Sequence, residues 1–339
     1  MIVVTSEHAG HDPDRLAPTS DTRRYWEVPD RADTLLATVR DRGFSVRPAV
    51  NYGLDPIARV HDHDYLAFLA EAFVRWQMTP AAGPALRAAA FAVRHASRRP
   101  ETLLGQAGYY LSSLSAPILA ATWPAAVSSA HAAVTAADLL LKGEPAVYAL
   151  CRPPGHHAHT DMAGGFCYLN NAAIAAQRLL DGGQAPVAIF DFDVHHGNGT
   201  QQIFYERDDV FYVSVHGDPA QLYPYYAGYA DEIGHGHGQG WNLNLPLPPG
   251  TGDAGFISAA ERGIDAISRK RPAALVVSVG FDAHAGDPTA NLAVSSAAFK
   301  AIGQSIRGLG RPALLVQEGG YIVERLAENL HTFLTGCLG

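Results

Sequence analysis

Six short runs of continuous, β-branched-rich apolar residues punctuate the chain, at 2–5, 146–151, 187–191, 210–216, 274–279 and 313–317, and each gives way to polar or glycine-rich sequence. Strands that are apolar without alternation are buried on both faces, as in a parallel sheet covered by helices on each side. Helical patterns fill the intervals. The stretch 125–141 is rich in Ala and Leu with no proline, 170–180 stops at Gly182-Gly183, and 254–270 and 295–309 continue the alternation. The expected fold is therefore α/β, with three layers around an open, mainly parallel sheet and helices on both faces. The 339 residues are read as one domain, 1–339, a length that large α/β folds reach as one unit. The stretch 73–125 breaks the alternation with Pro80, Pro84, Pro100 and Pro117 and a basic cluster, Arg94, Arg98 and Arg99. It is expected to be a long excursion with helical pieces of its own, and excursions of this length usually shape a functional site.

Charge and composition narrow the partners. Hydrophobic residues make up 47% of the chain and charged ones 17%, enough for a large buried core. A net charge of −8 disfavours nucleic acid, because phosphate backbones are held by basic surface. The opening MIVVTSEHAG has no basic region ahead of its apolar residues, so a strand is expected there and not a signal peptide. No apolar run reaches the roughly 20 residues a membrane span needs. Three cysteines are too few for a disulfide framework or a Cys-rich zinc site. A reducing, cytoplasmic setting is expected.

Ligands of open α/β sheets bind beyond the carboxyl ends of the strands. Four of those ends carry chemistry here: Gly155-His156-His157, Asp191-Phe192-Asp193-Val194-His195, Gly280-Phe281-Asp282 and Glu318-Gly319-Gly320-Tyr321. Catalytic zinc takes three protein ligands and leaves one position open. Asp193 and His195 lie two apart, so on an extended segment both point the same way. Asp282, from another strand, completes the set. A base is then needed nearby, and His156 or His157 can serve. Asp191 and Asn198 are the candidates to orient them. Tyr321 offers a hydroxyl donor to an oxyanion.

The motifs RPPGHHA (152–158), GGFCYLNNAAIAA (164–176), DFDVHHGNGTQ (191–201), GFDAHAGDP (280–288) and EGGY (318–321) closely resemble the histone deacetylase family over almost the whole chain. The flanking HGDPAQLYPYYAGYADE (216–232) looks most like its bacterial acetylpolyamine amidohydrolase branch. The resemblance implies the arginase-deacetylase fold and one zinc per chain on Asp193, His195 and Asp282. It implies His157 as general base and acid, His156 as its electrostatic partner, and Tyr321 as the group that polarises the amide carbonyl. It further implies Phe166 and Tyr223 as walls of the substrate tunnel, and a structural potassium ion near Asp191, Asp193, His195 and Ser214. A homodimer built through the excursion is expected from the same branch.

Hydrolysis of an N-acyl amide, most simply N-acetyl, on a small-molecule amine is the expected activity. Members that cleave polyamines resemble one another in carrying acidic residues that grip the distant ammonium. Here Leu104 falls at one such position and a residue near Leu16, with Asp12 and Asp14 close by, at the other. An ammonium against leucine goes unpaired at a cost of several kcal/mol, so a less cationic substrate is expected. Alternatives are a deacetylase of acetyl-lysine in proteins and a non-catalytic binder of acyl-amines. A two-manganese, arginase-like site lacks ligands, since Gly197 and His284 stand where further carboxylates are needed. His61 and His63 are read as scaffold, His8 and His11 as residues after the first strand with a place on the rim as the lesser alternative, His235 and His237 as a glycine-rich surface loop, Cys167 as core and Gly250-Thr251-Gly252 as a turn.

Overall fold

The computed structural model describes residues 1–16, 25–94 and 97–339. Eight strands are found among them: β1 (Ile2–Thr5), β2 (Ser45–Pro48), β3 (Ala146–Leu150), β4 (Val187–Asp191), β5 (Val210–Gly217), β6 (Asn242–Leu247), β7 (Ala274–Val279) and β8 (Ala313–Gln317). They form one sheet in the order β2-β1-β3-β8-β7-β4-β5-β6, and every pair is parallel. The six apolar runs are its six inner strands. β2 and β6 went unread because edge strands need no continuous apolar run: Ser45–Pro48 is largely exposed, and Asn242–Leu247 carries two asparagines and a proline.

Residues alternate between two cores, as the period of a strand requires. Val187 and Ile189 of β4 enter the core under the helices Thr122–Leu141 and Asn171–Asp181, while Ala188 and Phe190 enter the opposite one. That second core is closed by Pro29–Asp41, Asp253–Lys270, Ser296–Gly308 and Val323–Leu338. The sequence patterns captured the helices that follow β6 and β7 but passed over Pro29–Asp41, His63–Gln77 and Val323–Leu338. By length and composition Thr122–Leu141 is apolar enough to cross a bilayer, but 67% of its apolar window is buried inside the protein.

The stretch 73–125 takes in the end of the helix His63–Gln77, the short helix Leu103–Tyr110 and an antiparallel bridge between Leu86 and Ile118. Its basic residues fasten it to the body: Arg94 pairs with Asp161 and Arg99 with Asp64.

Candidate active site

The four strands with chemistry at their ends, β3, β8, β7 and β4, are consecutive in the sheet, so their carboxyl ends converge. Asp193, His195 and Asp282 meet there, all buried, with their ligand atoms within 4.8 Å of one another. His195 Nδ1 lies 3.2 Å from a carboxylate oxygen of Asp193 and 3.2 Å from one of Asp282. Its Nε2 lies 3.0 Å from the Thr289 carbonyl, which only accepts, so Nε2 carries the proton. The Nδ1 lone pair and two carboxylates therefore face one another, a donor set that needs a cation between its members. The electrostatics of the cluster agree. Burial and the neighbouring Asp193 push Asp282 up to about 7, and against burial the two carboxylates hold His195 well above the usual histidine range. Two oxygens and one imidazole nitrogen fit a divalent metal of the zinc type.

Glycines let the backbone pass close by. A methyl group on Gly319 would sit 2.2 Å from Asp282 Oδ2 and 2.5 Å from Asp193 Oδ2. Instead the Gly319 N–H donates to Asp193 Oδ2 at 2.8 Å.

The two adjacent histidines differ. His156 Nδ1 lies 3.1 Å from Asp191 Oδ2, and despite burial Asp193 and Asp191 push it up to about 10. His157 Nδ1 lies 2.7 Å from Asn198 Oδ1, and burial together with His156 and His195 holds it well below the usual histidine range. An amide oxygen accepts, so His157 is the neutral Nδ1–H tautomer with a bare Nε2. The arrangement provides one charged and one neutral imidazole side by side, their ring centroids 4.1 Å apart.

A cavity of about 170 Å³ opens above this floor, lined by Ser115, His157, Gly165, Phe166, His195, Tyr223, Thr289 and Tyr321. Tyr223 stands edge-on to His157, and Phe166 lies against Tyr321 at 5.5 Å between centroids. Phe166 adopts φ 67°, a left-handed conformation costly for a bulky residue. Burial raises the Tyr321 phenol well above its ordinary range, so it stays an O–H donor at neutral pH.

Ser214 sits beside Asp191 in the β5–β4 register, with its Oγ 2.8 Å from His216 Nδ1. The side chains of Asp193 and His195 are committed to the other cluster. Leu104 does not line the cavity. Its helix buries Leu103, Ala107 and Tyr110, which leaves Leu104 on the opposite face, 48% exposed. Leu16 is also exposed. His8 and His11 lie away from the cavity, His61 is buried scaffold and Cys167 is core. His235 lies 3.3 Å from a carboxylate oxygen of Glu206, but both are exposed and no further ligand joins them among the described residues.

Several supporting groups escaped the sequence. Asp287 accepts from Thr289, whose carbonyl holds His195, and from the Tyr321 backbone N–H. Glu318 accepts from the backbone N–H groups of Gly155 and His156, so its proximity to His156 and Cys167 is structural. Arg31 donates to the carbonyls of Glu318 and Gly320 while paired with the buried Glu27, which also pairs with Arg152. Asp287 lies in a recognisable Gly-Asp-Pro turn. Nothing local marks Arg31 for this role, because the carbonyls it holds lie almost 290 residues away.

The histone deacetylase domain model matches residues 25–337. Acetylpolyamine amidohydrolase from Mycoplana ramosa is 44% identical, with 93% of this chain and 92% of that protein covered. Acetylpolyamine amidohydrolase 1 of Pseudomonas aeruginosa is 45% identical, with coverage of 100% and 99%. The crystal structure of acetylpolyamine aminohydrolase from Burkholderia pseudomallei superposes with a TM-score of 0.95 at 43% identity, covering 99% of this chain and 98% of that one. The HDA15 HD domain superposes at 0.83 and 26% identity, covering 100% and 89%. Motifs, sheet order and relatives agree that this chain belongs to the histone deacetylase family.

Proposed function

We propose that the protein hydrolyses the N-acetyl amide of a small-molecule amine, releasing acetate and the free amine. The observation that carries this is the cavity above the Asp193, His195 and Asp282 cluster, where a bare imidazole nitrogen and a phenol face one narrow space. At ~30 Å³ per water molecule, 170 Å³ holds about five or six, enough for an acetyl amide and a short stem. Asp193, His195 and Asp282 would hold one zinc ion, which when bound supplies a Lewis acid to water and carbonyl.

His157 Nε2 takes a proton from the attacking water, and the Nδ1–H bond to Asn198 keeps that nitrogen unprotonated beforehand. The same imidazole returns the proton to the leaving amine. Tyr321 donates its O–H to the carbonyl oxygen as negative charge develops there. His156, charged beside Asp191, adds a fixed positive charge behind the base. Phe166 and Tyr223 exclude water and align the linear stem. Asp191, Ser214 and the backbone near Asp193 and His195 are proposed to hold a monovalent cation of the potassium type. The three cysteines are free, which fits a reducing cytoplasmic setting. A homodimer through the excursion is supported by Phe91, Val93, Leu104 and Leu114, which stand exposed there.

The relatives' names speak of polyamines, yet no carboxylate side chain lines this cavity among the described residues. A substrate with an apolar or uncharged body suits it better. An acetyl-lysine side chain offers the same linear amide and is the second reading. Zinc-loaded enzyme assayed on acetylputrescine, acetylspermidine, neutral N-acetyl amines of matched length and an acetyl-lysine peptide separates these. The expected result is greater kcat/KM on the neutral amines. Acetylspermidine cleaved tenfold faster than its neutral match would overturn the substrate proposal but not the hydrolysis.

A further inference from the structure

His157 acts as a base only while its proton sits on Nδ1, and that depends on which end of the Asn198 amide faces it. The other end is observed. Asn198 Nδ2 lies 3.0 Å from His159 Nε2. An amide nitrogen only donates, so His159 Nε2 accepts and its own proton is on Nδ1. We propose that His159 is a positioning residue, which by accepting from Asn198 fixes the tautomer in which His157 presents a bare Nε2 to the cavity.

The alternative arrangement shows why the end of this chain matters. With the amide turned over, its oxygen faces the His159 lone pair and its NH₂ faces His157 Nδ1. His157 then moves its proton to Nε2 and offers the cavity no lone pair. With the His159 proton on Nδ1, the three groups in line, His157, Asn198 and His159, have one arrangement in which each donor meets an acceptor. His159 is itself held: its backbone N–H donates to Met162 at 2.9 Å. Burial lowers it to about 4, with the Asp161 carboxylate and the Arg94 guanidinium, paired with each other, acting in opposite directions. It is therefore neutral and able to accept at neutral pH. Its outer side, with Asn198, reaches a separate groove of about 690 Å³ that also borders Gln202 and Tyr226. His159 therefore meets solvent from a face the substrate cavity does not share.

This inference rests on His157 being the base, and a mutant cycle distinguishes the two. In the cycle, kcat and KM are measured for His159→Leu, His159→Gln, Asn198→Asp and the Asn198→Asp/His159→Leu double variant, with His157→Ala as reference. His159→Leu is expected to lower kcat about tenfold, the factor set by 1.4 kcal/mol at the upper end of a net hydrogen bond, with KM within twofold. His159→Gln, whose carbonyl can accept, should retain at least half of kcat. A carboxylate at position 198 accepts from His157 whichever way it lies, so in that background His159→Leu should cost less than twofold. An equal loss in both backgrounds, or no loss in either, overturns the positioning role. If His157→Ala keeps full turnover, the base assignment itself fails. Should the leucine variant not fold, His159→Arg, which can only donate, takes its place with the same expected loss.

Discussion

Gly319→Ala tests whether Asp193, His195 and Asp282 form one metal centre with no slack. Gly319 does not have a positive φ, so alanine suits its backbone and the effect is steric. The added carbon falls 2.2 Å from Asp282 Oδ2 and 2.5 Å from Asp193 Oδ2, where ordinary contact begins at 3.4 Å. Something must shift by about 1 Å, and metal–ligand distances tolerate about 0.2 Å. Neither carboxylate is free to swing. Asp193 also accepts from the His195 and Gly319 backbone N–H groups, and Asp282 from that of Val194. Zinc affinity should fall by about 10- to 100-fold, as for lost supporting contacts, and kcat by about 100-fold from misplacement of this size. Competition with a chromogenic chelator reads the affinity, and turnover at saturating zinc reads the rate. Gly43→Ala is the control, since its φ of 72° is strained by a side chain but the added carbon meets nothing within 4 Å. It should lose about 1 kcal/mol of stability and neither zinc nor turnover. A Gly319→Ala protein that is folded, binds zinc with wild-type affinity and turns over normally would refute the reasoning.

Two further outcomes follow from the same structure. Tyr321→Phe keeps the ring against Phe166 and removes only the donor, so kcat should drop by about 100- to 1,000-fold while zinc content by metal analysis stays at the wild-type level; undiminished turnover removes Tyr321 from the mechanism. His61 is buried and neutral: its Nδ1–H donates to the Thr160 carbonyl at 3.2 Å, and its Nε2 accepts from the Asn170 N–H at 2.9 Å. Burial depresses it to about 4 from 6.5. The stability it contributes is therefore complete above pH 6.5 and lost as pH falls towards 4, at about 1.4 kcal/mol per unit. Urea unfolding at pH 7 and 5 should show a drop that is smaller by roughly 2 kcal/mol in His61→Gln; an unchanged difference means His61 does not supply it.

Part of this protein is written locally. The inner strands were legible because a strand buried on both faces must be apolar throughout, and the clustering of Asp193 and His195 because they share one strand end and the motifs lie intact in the chain. Asp282 and Tyr321 were legible through those motifs as well. The edge strands were not, since Ser45–Pro48 and Asn242–Leu247 are stabilised on one side only and carry no periodic signal. Leu104 was misplaced because position along a motif does not state which face of a short helix turns inward. Only the fold decides that β3, β8, β7 and β4 stand side by side, although the paired residues of β3 and β8 are 167 apart in sequence. Only the fold brings Arg31 to the carbonyls of Glu318 and Gly320, and His159 to Asn198. Residue type determines which bonds a group can make and period determines which face it occupies. Which groups then meet is decided by the packing of distant segments, because a buried donor or acceptor takes whatever partner the sheet order leaves within reach.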